Sequence, residues 1–229
     1  MTTASTHLRY ERKFVPDGLP LAGVLALVRV HPALFREAYP ERPVNNLYFD
    51  TPDLRHYHEH IHGAAARTKV RLRWYGAWGG RLEQPVLEFK TRHGTVSRKE
   101  THALPPLMLD GNLPRDILEA AADGGGLPEA ARFHLRCLEP SLANRYHRRY
   151  FHSADRAVRL TVDWGLQFFA PRNLNGARRP LPHDGPAVIL ELKYGDAHTE
   201  DAARITNAFP FRLTRCSKYV VGVECLNRA

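Results

Sequence analysis

The chain has 229 residues, 43% of them hydrophobic and 25% charged, the composition of a globular protein long enough to bury a core in one domain. Its formal charge of +9 points to an anionic partner: nucleic acid, an acidic membrane surface or a phosphate compound. Cys137, Cys216 and Cys225 lack CxxC spacing, no apolar run approaches the roughly 18–20 residues of a membrane span, and no signal-peptide core is present, so neither a disulfide frame nor a membrane segment is expected and a cytoplasmic protein is.

In chain order, "LRYERKF" (8–14) reads as a first strand and "LAGVLALVRV" (21–30) as a helix, with "HPALFREAYP" adding a turn before Pro40. "VNNLYFDT" (44–51) is a short strand. "TPDLRHYHEHIHG" follows as a helix, with Thr51 as cap, Pro52 in the first turn and Gly63 at its end. "KVRLRWYG" (69–76) and "PVLEFKT" (85–91) are strands, and "RHG" turns the chain into "TVSRKETHAL" (95–104). A mainly helical section from about 105 to 140 comes next, interrupted by "DGGGLP". Strands return with "NRYHRRYF" (144–151), "VRLTVDWGLQF" (158–168) and "AVILELKYG" (187–195). "TEDAARITNAF" (199–209) is a helix, and "CSKYVVGVECL" (216–226) closes the chain as another. Strands of one kind lie on both sides of the "DGGGLP" break, so a single domain over 1–229 with a helical insertion is expected.

That kind is unusual. Side chains on a strand alternate between faces. Arg9, Glu11 and Lys13 share a side; so do Lys69, Arg71 and Arg73, opposite Val70, Leu72 and Trp74. Glu88 and Lys90 oppose Leu87 and Phe89, and Tyr146, Arg148 and Tyr150 form another side. Arg159 and Asp163 oppose Leu160 and Val162, and Glu191 and Lys193 oppose Leu190 and Leu192. For one strand, a solvated face of an antiparallel sheet explains this. Repetition across strands weakens that reading, because a merely wet face has no reason to favour arginine. Guanidinium forks two residues apart suit phosphate oxygens. If the sheet closes into a barrel, the charged sides can face inward and the apolar sides outward under helices. Such a lumen repels itself when empty, by roughly 4 kcal/mol per like-charged pair at 4 Å and an effective dielectric near 20, and a polyanion relieves it. Glu11, Glu88 and Glu191 would neutralise part of the charge and could hold a divalent cation. Neither a P-loop nor a G-x-S-x-G elbow occurs. His56 with His60, or His58 with His62, share a helical face and could bind zinc, although a solvated helix is the simpler reading.

The motifs "RYERKF", "KVRLRWYG", "LEFKT", "YHRRYF", "RLTVD", "LELKYG" and "SKY", in this order from 9 to 219, resemble the VTC (vacuolar transporter chaperone) domain, a branch of the triphosphate tunnel metalloenzymes. The resemblance implies an α+β fold: an antiparallel barrel, the triphosphate tunnel, with a charged lumen and helices outside. It implies phosphoryl transfer on polyphosphate or nucleoside triphosphate with Mn²⁺ or Mg²⁺, and, for this branch, polyphosphate synthesis from ATP. Carried over by motif, Lys13, Arg71, Arg73, Lys90, Arg148, Arg159 and Lys218 are the catalytic phosphate contacts. Lys69, Lys99, Tyr146, Lys193 and Ser217 are further phosphate-binding positions, and Glu191 and Glu11 are metal ligands. Lys99 matches the side of Ser97 and Thr101, with Arg98 as its alternative. Many tunnel enzymes begin E-x-E-x-K, but Arg9 stands at the first acid here, which suits a polymerase better than a two-metal hydrolase. A triphosphatase in the same tunnel and a non-enzymatic polyphosphate sensor are the rival readings. Nucleic acid is the disfavoured partner, since Trp74 falls on the apolar side and no RNP-like motif occurs.

Overall fold

The computed structural model describes residues 9–94, 96–109, 119, 123–124, 126–171 and 179–228. In chain order the elements are β1 (Arg9–Phe14), α1 (Leu21–Val30), β2 (Arg36–Asp50), α2 (Arg55–Ile61), β3 (Ala66–Tyr75), β4 (Gly80–Leu82), β5 (Val86–His93), β6 (Val96–Ala103) and β7 (Leu107–Leu109). They continue with α3 (Glu129–Arg136), β8 (Glu139–His152), β9 (Val158–Phe169), β10 (Val188–Gly195), a 3₁₀ turn (Asp196–His198), α4 (Thr199–Ala208) and α5 (Lys218–Asn227).

Eight strands make one sheet in the order β1-β10-β9-β8-β2-β3-β5-β6, every neighbouring pair antiparallel. β5 lies six steps from β1 in this order. At about 4.8 Å per step, a flat sheet would hold them about 29 Å apart. Instead Lys90 of β5 donates to Glu11 of β1 at 3.2 Å, so the sheet is curled almost into a ring. Among the described residues no backbone ladder joins β6 to β1. The approach to α5 lies along the seam: Leu213 bridges Phe14, Thr214 N–H donates to Lys13 O, and Ser217 accepts from Lys69 of β3.

Alternation decides what each surface of the curl carries. The convex surface carries the apolar sides of the strands and is covered in two places. Leu47, Phe49, Val70, Leu72, Leu87 and Phe89 pack with Ala131 and Leu135 of α3. Phe14, Leu160, Val162, Leu190 and Leu192 pack with Val24 and Val28 of α1 and with Ala202 and Ile205 of α4. The concave surface is divided. α5 lays Tyr219 and Val223 against Leu142, Tyr146, Leu166, Phe168 and Ile189, and the remainder of that surface is charged. Gly222 permits the close approach: a Cβ there would lie 2.3 Å from Leu142 and 2.6 Å from Phe168.

The division depends on one bulge. Arg145 pairs with Gln167, but His147 pairs with Trp164, so β9 holds an extra residue at Gly165, whose φ is +62°. A glycine in left-handed conformation supplies such a bulge without steric cost. Before it, Thr161 and Asp163 face the concave side; after it, Leu166 and Phe168 do.

Several local expectations are corrected. The turn expected at 31–40 gives way at Arg36 to β2, which is 15 residues long. Up to Arg42, β2 pairs with β8 alone, since its ladder with β3 begins at Val44; an edge stretch tolerates Pro40. α2 starts at Arg55 rather than after Thr51, because Leu54 adopts a left-handed conformation at φ 55°. Thr51 still caps it, its hydroxyl accepting from the N–H of Arg55 at 2.9 Å, and the Asp50 carboxylate accepts from the N–H groups of His56 and Tyr57 at 2.8 and 2.9 Å. The stretch expected to be helical from about 105 opens on strand β7, which pairs with β4. Residues 110–118, 120–122 and 125, where the rest of that helical section was expected, lie outside the described residues.

Candidate active site

The ladders set charged residues in rows across the concave surface. Lys69, Lys90 and Lys99 stand opposite one another on β3, β5 and β6. One step along, Arg71 faces Glu88. On the other wall Arg148 faces Asp163, Lys13 faces Glu191, and Lys193 stands between Glu11 and Arg159.

Four carboxylates organise these cations. Glu88 accepts from Arg71 Nε at 2.7 Å and from Lys99 at 2.7 Å, with Arg73 at 3.6 Å. Asp163 accepts two bonds from Arg148, at 2.5 and 2.7 Å, and one from Lys218 at 2.6 Å. Glu191 holds Lys193 at 2.5 Å and Lys13 at 3.7 Å, and Glu11 holds Lys13 at 2.8 Å and Lys90 at 3.2 Å. Burial opposes ionisation of all four, but the surrounding cations outweigh it. Arg148 and Lys218 hold Asp163 at about 2, Arg71, Arg73 and Lys99 hold Glu88 well below the carboxylate range, Lys193 and Lys13 do the same for Glu191, and Glu11 is lowered. Burial also opposes the charge on Lys13, yet Glu191 and Glu11 lift its pKa above the usual lysine value.

Lys69 is the exception. Burial, then Lys13, Lys90 and Arg71, push its pKa well below that of an ordinary lysine. Its hydrogen bond goes to Ser217 Oγ at 2.9 Å. Tyr146 sits where the walls meet. Its ring lies under Arg148 and Lys218, with cation–centroid distances of 5.3 and 4.6 Å, and its hydroxyl accepts from Arg73 at 3.4 Å.

The structure thus brings together Lys13, Lys69, Arg71, Arg73, Lys90, Lys99, Arg148, Lys193, Lys218, Tyr146, Ser217, Glu11 and Glu191 on one surface. Arg159 shares the surface but sits at its exposed rim, in no ion pair among the described residues. Lys99, not Arg98, faces the cluster; Arg98 is 69% exposed and pairs with Glu100. Three participants had no role in the sequence reading. Asp163 was visible only as one acid on a charged side. Asn46 and Tyr48, which accept from Arg73 and Arg71, come from β2, whose "VNNLYFD" carries no cation.

Glu11 and Glu191 are held near each other by the shared Lys13. Two ionised carboxylates are a donor set that fits a hard divalent cation taking its remaining ligands from phosphate and water. Among the described residues no cluster of three or more His, Cys, Asp or Glu side chains is arranged to hold a metal. The histidine pairs of α2 form no such site: His56 is buried beside Asp50, and His58 stacks on His62. The three cysteines are free thiols, and no helix among the described residues is long and apolar enough to cross a membrane.

The VTC domain family matches residues 8–227. Among curated proteins none matches the chain. Of solved structures, a "putative adenylate cyclase" of Vibrio parahaemolyticus superposes with a TM-score of 0.55 at 12% identity, covering 97% of this chain and 99% of the other. A second protein so described, from Bacillus halodurans, gives 0.52 at 13% identity, covering 92% and 94%. At these identities the likeness is one of fold.

Proposed function

The chain belongs to the VTC domain family, and from that premise we propose that it is a metal-dependent phosphotransferase that lengthens inorganic polyphosphate with the γ-phosphoryl group of ATP. The observation that carries this reading is the charge imbalance of the concave surface. Among the described residues, lysine and arginine side chains well outnumber the four carboxylates Glu11, Glu88, Asp163 and Glu191 there, under a sheet curled tightly enough for β5 to touch β1. A polyanion is the ligand that relieves such a surface.

Phosphoryl transfer asks a protein mainly for alignment and for positive charge around the equatorial oxygens. Arg71 and Arg73, about 6.6 Å apart along β3, present two forks to neighbouring phosphate groups. Arg148 of β8 and Lys218 of α5 face them, both oriented by Asp163 of β9. Lys69, Lys90 and Lys99 extend the positive track. A divalent cation held by Glu191 and Glu11 would supply further charge neutralisation between phosphate oxygens. The carboxylates are held ionised by their cations and are weak bases. A terminal phosphate, with its second pKa near 6, needs no base at neutral pH, whereas water does. That contrast favours polyphosphate over water as the acceptor.

The test is product analysis: the purified chain is incubated with ATP and Mn²⁺ and the products are resolved on a gel. Long chains with ADP are expected. Free phosphate alone would establish a triphosphatase, and tight polyphosphate binding without turnover a sensor.

A further inference from the structure

Beyond the last phosphate-facing residues, the concave surface ends in a group of aromatic rings that the phosphate chemistry leaves unused. Arg42 lies opposite Arg148 across the β2–β8 ladder, and Tyr39 lies opposite Tyr150. The Arg42 guanidinium sits 4.0 Å from the ring centre of Tyr75 and 4.9 Å from that of Tyr150, with Tyr39 at 5.9 Å. Tyr150 is also 5.8 Å from the guanidinium of Arg148, so its ring links this group to the ion cluster of Asp163. Two register shifts in β2, between Glu37 and Tyr39 and between Tyr39 and Arg42, bring both residues to the concave side. Bulges commonly re-aim side chains beside functional sites.

Three properties make the group a receptor and not only a stack. Among the described residues Arg42 has no carboxylate partner; its hydrogen bond goes to the Tyr150 hydroxyl at 3.3 Å. Tyr75 and Tyr39 keep 41% and 57% of their surface exposed, so their rings are open to a ligand. The other end of β3 is different in kind. There Arg67 faces Arg92 and feels Arg215, with its Nε buried and unpartnered. One end of the bore is thus aromatic and the other purely cationic, about 26 Å apart along β3.

We propose that Tyr75, Arg42, Tyr150 and Tyr39 form a nucleobase subsite, so that a nucleoside triphosphate binds with its base at the Tyr75 end and its phosphates toward Arg73 and Arg148. Tyrosine faces and guanidinium planes are the surfaces on which bases stack. Tyr75 is two residues beyond Arg73, about 6.6 Å, a gap that a ribose spans. The inorganic chain then occupies the cationic end, where no ring is needed. This inference rests on the reading of the site as one for triphosphates.

The test compares ATP and inorganic tripolyphosphate by titration calorimetry with Mn²⁺ present, on the wild type, Tyr75→Ala and Tyr75→Phe. Tyr75→Ala should weaken ATP about tenfold, the scale of one base–aromatic stack, and leave tripolyphosphate unchanged. Tyr75→Phe, which keeps the ring, should retain both. Unchanged ATP affinity in Tyr75→Ala would overturn the subsite while leaving the triphosphate reading intact, and so would an equal loss of both ligands. A wild type that binds neither ligand would overturn both.

Discussion

Lys69 Nζ lies 2.9 Å from Ser217 Oγ, and no carboxylate reaches that amine within ion-pair distance among the described residues. A phosphate would be its first close anion. Binding should raise the depressed pKa and draw a proton from solvent. Calorimetry of tripolyphosphate in buffers of different ionisation enthalpy, at a pH above the depressed value, should show more proton uptake by the wild type than by Lys69→Met. Between the depressed folded value and the ordinary 10.5, the unfolded chain holds a proton that the folded chain lacks. Stability from this group therefore rises with pH across that window and is lost as pH falls through the folded value. The same proton exchange in the wild type and in Lys69→Met would contradict the assignment.

Asp163 is 2% exposed and joins Arg148 to Lys218. Asp163→Asn takes away the carboxylate that pairs with buried Arg148 and with Lys218, a change that typically costs about 3–5 kcal/mol. The melting temperature should fall accordingly, and tripolyphosphate should restore more stability to this variant than to the wild type, because it replaces the missing charge. The wild-type contribution is present above the ordinary aspartate pKa of 3.8 and is lost as pH falls toward about 2. Thermal melts from pH 2 to 7, with and without the ligand, check both statements.

Lys99 and Arg98 offer an internal control, because adjacent strand residues face opposite ways. Lys99→Ala should weaken tripolyphosphate binding about tenfold, the order of one charge-assisted hydrogen bond. Arg98→Ala should leave it unchanged. The reverse result would turn β6 over.

Gly222→Ala probes the docking of α5. Alanine favours a helix by about 1 kcal/mol over glycine. Here its Cβ would meet Leu142 at 2.3 Å and Phe168 at 2.6 Å, both fully buried. Overpacking of this kind costs about 1–3 kcal/mol. The variant should melt lower and bind tripolyphosphate more weakly, since α5 carries Lys218. A higher melting temperature would show that the helix can shift freely.

The charged sides of β3, β5 and β10 were legible because period-two alternation is local and needs no partner strand. So were α1, α4 and α5, from length and composition. Two kinds of feature were hidden. One depended on register: the displaced pairing of β2 that brings Arg42 to Tyr75 and Tyr150 leaves no mark in "REAYPERP", whose prolines argued for a turn. The other depended on tertiary cover. Alternation predicted a wholly charged interior, yet α5 occupies part of it with Tyr219 and Val223. Gly165 within an otherwise regular strand was the one local sign of that change of side.

Residues 216–227 follow every strand of the sheet in the chain, and they supply Cys216 O to Lys13, Ser217 to Lys69 and Lys218 to Asp163. A ribosome that has not passed them exposes a trough of mismatched charge with its oily half uncovered. Closure of the charged surface therefore waits until residues 216–226 have left the ribosome and docked, and a chain released before they are made should be prone to clumping.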